Sequence, residues 1–272
     1  MKKPFVSCVV TLLAASACCS GAHAQTSSPA PGQPADAKPA AAPFSPRDLD
    51  GIWMPISGPA GGPQIVDPNT HPPFTPWAKA RFDASFPSLG PRDVAGKEND
   101  PILQCYPDGM PKQLGSPHPF EIFMLPDRML TIFEKDHDWR YVWTDGKKHN
   151  AGEGPTYDGH STGRWDGDTF VVDSVDFNDI PWLDYFGDPH SDAMHLTEYY
   201  KRVNHDTLSI SVTIDDPKAY TAVWVGKPHL YKLEPDWDIL NYYCTIDDIK
   251  QYDKDVRIPG GAAGTGEAAK SK

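Results

Sequence analysis

Leu208, Ile210, Val212 and Ile214 alternate with Ser209, Ser211 and Thr213. This strict period of two predicts a strand with one packed face and one polar face. The same reading extends across the second half of the chain. Residues 120–125 and 129–134 flank Pro126-Asp127-Arg128 and predict a hairpin. A strand over 139–144 follows, rich in aromatic and β-branched residues and closed by the turn signal Asp145-Gly146. Segments 160–165 and 169–177 lie on either side of Asp166-Gly167, another hairpin pattern. Segments 195–203 and 207–215 are separated by Asn204-His205-Asp206, and 219–225 and 229–233 supply two more strands.

The first half is sparser. Residues 48–53 predict an opening strand anchored by Trp53. Residues 55–73 and 87–101 are loops rich in Gly and Pro. Between them Thr75-Pro76-Trp77 predicts a helix to about Ser85, with Thr75 as N-cap and Pro76 at the first helical position. About nine or ten short strands and one helix indicate a mainly β fold. A closed sheet leaves no exposed edge. The expected fold is therefore an antiparallel, lipocalin-like β-barrel with one short N-terminal helix and long covering loops; the alternative is a β-sandwich.

The chain ends read differently. Lys2 and Lys3, an apolar run over residues 5–17 and Ala22-His23-Ala24 make residues 1–24 a secretory signal peptide. Ala15-Ser16-Ala17-Cys18 leaves a lipoprotein signal as the lesser reading. Residues 25–46 are an Ala/Pro-rich linker and 259–272 a similar tail, both too poor in apolar surface to order themselves. One domain over 47–258 remains, destined for the periplasm or the medium. Of five cysteines, Cys105 and Cys244 survive removal of the leader and are expected to form a disulfide. The formal charge is −12, and loss of Lys2 and Lys3 makes it more negative. Such a surface argues against nucleic acid and anionic membranes, and no second apolar stretch is long enough for a membrane helix.

Two motifs stand out: Gly159-His160-Ser161-Thr162-Gly163-Arg164-Trp165-Asp166-Gly167-Asp168-Thr169 and Pro189-His190-Ser191-Asp192-Ala193-Met194-His195-Leu196-Thr197-Glu198. With Asn99-Asp100-Pro101 and Cys105-Tyr106-Pro107-Asp108-Gly109, they resemble a large family of exported bacterial proteins. The resemblance spans about residues 49–244 and implies export and a barrel-like fold. It implies no settled reaction, and Tyr199 stands where the family more often has arginine.

The titratable residues of these motifs are the candidate chemistry. His160 and His195 are the expected acid and base, oriented by Asp184 or Asp192, because imidazole exchanges protons near neutral pH. On this reading His195→Ala lowers turnover at least a hundredfold. Alternation places His195 and Glu198 on opposite strand faces. His190, Glu198, Trp182 and Tyr185 are expected at the pocket mouth. Glu121, Glu134 and Arg140 form either a polar floor or a solvated outer face. Trp139, Tyr141 and Trp143 share one face, expected to be core. His190 and His195 lack the spacing of a familiar metal motif, so no cofactor is expected, with a divalent metal as the lesser possibility. There is no nucleophile elbow, phosphate loop or dinucleotide fingerprint.

Three functions follow. The first is an exported lyase, isomerase or hydrolase that uses His/Asp acid–base chemistry on a small organic molecule in a barrel cavity. The second is a lipocalin-type carrier with an apolar interior. The third is an envelope interaction module presenting an apolar patch.

Overall fold

The computed structural model describes residues 44–56, 66–67, 69–88, 90–94, 96–146, 154–252 and 254–255. The expected leader, most of the linker and the tail lie outside them. Ten strands form one sheet: β1 (Gly51–Pro55), β2 (Phe120–Leu125), β3 (Arg128–Phe133), β4 (Trp139–Trp143), β5 (His160–Asp166), β6 (Thr169–Val175), β7 (His195–Asn204), β8 (Thr207–Asp215), β9 (Trp224–Val225) and β10 (His229–Leu233). Two helices, α1 (Pro76–Ala84) and α2 (Ile246–Tyr252), accompany them.

Each strand from β1 to β8 pairs with the next, and β10 pairs with both β8 and β1, which closes the barrel. β9 pairs only with the end of β8, through Thr213↔Val225 and Ile214↔Trp224. The expected barrel is present, with one difference. β4 and β5 run parallel, registered only by Val142↔Ser161 and Trp143↔Thr162. His160, the first residue of β5, is thus level with Tyr141 near the end of β4.

This topology makes the two barrel ends unequal. One end carries the tight hairpins β2–β3, β5–β6 and β7–β8. The other carries the connections 134–138, 176–194 and 216–223. Thr75 caps α1 by accepting from the Ala78 N–H (3.3 Å), and its own N–H reaches the Ala219 carbonyl (2.9 Å). α1 is thereby fastened to the long-loop end.

Period-two alternation decides what fills the barrel. Phe120 and Ile122, Met129 and Phe133, Phe170 and Val172, Leu196 and Tyr200, and Leu208, Ile210, Val212 and Ile214 point inward and are buried. Trp53 and Tyr231 are also fully buried. At Gly163 a Cβ would lie 2.4 Å from the Phe170 ring and 2.8 Å from Val142, so glycine lets that ring pass close to the β5 backbone. The interior is a side-chain core of the kind small barrels build.

One expectation about faces changes, and one left open is decided. Trp139, Tyr141 and Trp143 do share a face, but it is the outer one: Trp139 is 56% exposed. The inward residues of β4 are Arg140 and Val142. Arg140 takes the inner position because Glu198 and two serines meet it there. Glu121 faces outward beneath the C-terminal segment, and burial, then the charge of Asp238, raises its carboxyl pKa.

Candidate functional site

Arg140 lies at the start of β4 with its side chain 2% exposed. It donates from Nη1 to Glu198 Oε1 (3.0 Å) and from Nη2 to the Ser161 and Ser174 hydroxyls (2.8 Å each). Nε also reaches Ser161 (3.2 Å). Glu198 Oε2 stands 2.8 Å from Nη2 but off its hydrogen-bonding direction. Burial works against the guanidinium charge, and Glu198 overcomes that, so Arg140 stays charged. Of the two readings for Glu121, Glu134 and Arg140, the shared polar floor does not form. Glu134 instead meets His118 Nδ1 (3.2 Å) and the Leu240 N–H (3.0 Å).

Just outside this ion pair the barrel wall opens. Because only Val142 and Trp143 register with β5, the first residues of β4 have no β5 partner. The gap is a cavity of about 350 Å³ between residues 138–141 on one side and 158–161 on the other, roofed by Pro107 and Thr156. Two carboxylic acids belong to it. Asp158 is partly buried, and its Oδ1 is shut off from solvent with no donor reaching it. Burial, then the charge of Asp138, pushes its pKa up to about 8. The Asp138 carboxyl is also raised, by burial first. The Trp139 N–H offsets that shift by donating to Oδ1 at 2.9 Å. The two carboxyls titrate as a coupled pair. Asp158 retains the proton, because no donor meets its buried Oδ1 whereas Asp138 accepts from the Trp139 N–H. At neutral pH Asp158 is thus a carboxylic acid beside a second carboxyl, Asp138, with Arg140 behind them.

The cavity lip is aromatic. Trp139 and Tyr141 have ring centroids 4.8 Å apart, and Tyr141 and Trp143 5.8 Å. The Arg128 guanidinium lies 4.1 Å from the Trp143 ring and 5.1 Å from Tyr141. His160 completes the lip, its Nε2 2.8 Å from the Gly154 carbonyl. Gly159 connects Asp158 to β5 at φ +67°; a Cβ there would lie 2.7 Å from both the Phe177 ring and the Val175 carbonyl oxygen.

The three motif histidines do not converge. His160 borders the wall cavity. His190 is buried in a second cavity of about 220 Å³, with Trp182, Asp179 and Arg81. Burial lowers its pKa and keeps it neutral. His195 stands on the outer face of β7, its Nε2 2.5 Å from Asp173. Alternation sends Glu198 inward and His195 outward. Asp192 orients no histidine: Lys218 meets it at 2.6 Å on the surface and lowers its pKa.

Asp184 serves its own loop. Its Oδ1 accepts from the N–H groups of Phe186 (2.9 Å) and Asp188 (3.1 Å). The Asp188 carboxyl, pushed up to about 10 by burial and then by Asp184, shares a proton with it. Tyr185 donates to Asp108 Oδ2 (2.9 Å), and Lys112 Nζ lies 4.8 Å from its ring and 5.5 Å from that of Trp182. Lys112 itself is wholly buried, held by Asp100 at 2.7 and 2.8 Å. Ser191 anchors the second motif through Asp216, with N–H to Oδ2 at 2.6 Å and hydroxyl to Oδ1 at 2.7 Å. Much of what the motifs encode is therefore the scaffold of the long-loop end.

Cys105 and Cys244 form the expected disulfide, with Cα atoms 5.4 Å apart. Among the described residues no group of three or more metal-ligating side chains gathers, and no helix is long and apolar enough to cross a membrane. Sequence reading missed Asp138 and Asp158. Each stands just before a strand, where an aspartate ordinarily marks a solvated turn. Only the parallel pairing of β4 with β5 brings them together. No family model matches the chain, and neither a curated protein nor a solved structure matches it.

Proposed function

We propose that the protein is an exported enzyme that moves a proton to or from a small ring-bearing organic molecule held at the wall cavity. Asp158 is the acid, Asp138 the ionised partner, and Trp139, Tyr141 and Trp143 the surface on which the ring stacks. One observation carries this reading: a carboxyl with a buried, unpartnered oxygen borders a cavity beside a second carboxyl. Two carboxyls with separated pKa values are the arrangement acid–base catalysis needs near neutral pH. The reaction class is lyase, isomerase or hydrolase, driven without an organic cofactor. Removal of the signal peptide places it in the periplasm or medium.

The ring preference follows from the lip. Electron-rich ring faces attract the C–H edges of another ring, and Arg128 already uses two of them for a cation. The carrier reading has less support, because Trp53, Phe120, Phe170, Tyr200 and Tyr231 fill the barrel interior where a lipocalin ligand would lie. If the lip binds without catalysis, the site is a surface receptor for the same class of molecule.

The test is a screen of neutral phenols, aryl ethers and pyranosides, read by tryptophan fluorescence and by product formation. Trp139→Ala should weaken binding of the hit. Asp158→Asn should retain binding and lower turnover by about 10²–10⁴-fold. Turnover by Asp158→Asn within a factor of two of wild type would remove the assignment.

A further inference from the structure

The carboxyl pair is bordered by two chain segments that share one covalent fastening. Cys105 lies two residues before Pro107, which roofs the cavity, and three before Asp108. The other cysteine, Cys244, donates its N–H to Asp136 Oδ1 (2.9 Å), two residues before Asp138. The segment that brings Cys244 there, residues 234–245, is an irregular strap along the barrel. Its fixings fall on the β3–β4 connection and just before β2. The Leu240 N–H donates to Glu134 Oε2 (3.0 Å), the Tyr242 ring stacks on His118 (5.4 Å, 19°), and the Tyr243 ring lies 4.8 Å from His137.

What the strap holds is a turn that would not stay in place by itself. Asp136 and His137 both have left-handed backbone, at φ 61° and 52°. Non-glycine residues adopt that region at a cost and persist there when their surroundings fix them. Asp138, next in the chain, returns to extended backbone and delivers its carboxyl to the cavity.

We propose that the C-terminal strap, fastened by Cys105–Cys244, positions Asp138 against Asp158, so that the working geometry of the site depends on an intact disulfide. The strap acts through Asp136 and the turn, and touches neither the cavity nor a ligand; Asp136 and Cys244 are positioning residues. The inference takes the carboxyl pair as the working site, as proposed above, but its test requires no substrate.

The groups whose charges act on the pair are Asp108, Asp136, Arg140 and Glu198. Arg140 and Glu198 are fixed in the barrel interior and stay where they are when the strap is freed. Asp136 and Asp138 move with the turn.

The experiment is a carboxyl-carbon NMR titration of Asp138 and Asp158 in the full mature chain. It compares the oxidised protein, the protein reduced with a phosphine, and Asp136→Ala, which leaves the disulfide closed. Freed from its neighbour and admitted to water, Asp158 should titrate at least about one unit lower in the reduced protein and in Asp136→Ala. Circular dichroism confirms that the barrel persists, and Trp237 fluorescence reports release of the strap. If reduction unfolds the chain, Asp136→Ala decides. An Asp158 titration that stays within about 0.2 units of the oxidised protein, with the strap released or Asp136 replaced, would overturn the proposal. A normal Asp158 titration in the oxidised protein would instead count against the proposed function.

Discussion

Arg140 of β4 and Glu198 of β7 meet inside the barrel, Nη1 to Oε1 at 3.0 Å, although 58 residues separate them in sequence. Neither is more than 3% exposed. Removing one member leaves the other as an uncompensated buried charge, which costs roughly 3–5 kcal/mol. Arg140→Met and Glu198→Gln should each lower the unfolding free energy by about that amount, measured by urea denaturation. The double variant Arg140→Met/Glu198→Leu should recover most of the loss. Additive destabilisation in the double variant would show that the pair is not the unit described.

Asp158 makes stability depend on pH in a direction opposite to an ion-paired carboxylate. Its folded pKa, about 8, lies above the ordinary value of 3.8. Its stabilising contribution is therefore fully present below about pH 4 and is lost as pH rises towards 8. Across that window stability should fall steadily as pH rises. Asp158→Asn should flatten this slope, so its melting temperature should gain on wild type between pH 5 and 8. Parallel melting curves for the two proteins across that range would contradict the assignment.

The Asp184–Asp188 pair should behave similarly at higher pH. With Asp188 raised to about 10, the shared proton survives beyond neutrality and leaves only in alkali. Stability should therefore fall further between pH 8 and 10, and Asp188→Asn should blunt that fall, as read by thermal melts.

His195 is expected to matter little. It lies on the outer face, 44% exposed in its side chain, hydrogen-bonded to a partly exposed Asp173. Surface pairs of this kind contribute about 0–1 kcal/mol. His195→Ala should change stability by less than about 1 kcal/mol and leave turnover within a few-fold of wild type. A hundredfold loss would restore the histidine reading suggested by the motif.

These outcomes trace what alternation can and cannot reveal. Period two located β8, the hairpins and the opposite facing of His195 and Glu198, because one residue of offset always changes face. Thr75-Pro76 marked the start of α1 because capping is local chemistry. In β4 the same period grouped Trp139, Tyr141 and Trp143 correctly, and hydrophobicity alone then assigned them inward. The true inner residue is a charged one, tolerable only because Glu198 arrives from β7 once the barrel closes. The parallel partnership of β4 and β5 left no local trace, and with it went the juxtaposition of Asp138 and Asp158. Local pattern identifies faces; closure decides which buried charges find partners.

The central claim is that Asp158 keeps its proton at neutral pH in the wall cavity. A carboxyl-carbon NMR titration of the oxidised mature protein, assigned by Asp158→Asn, tests it most directly. A midpoint near 8 is the predicted result, with Asp138 titrating below it. A midpoint near 4 would mean a solvated, ordinary carboxylate and would contradict the account.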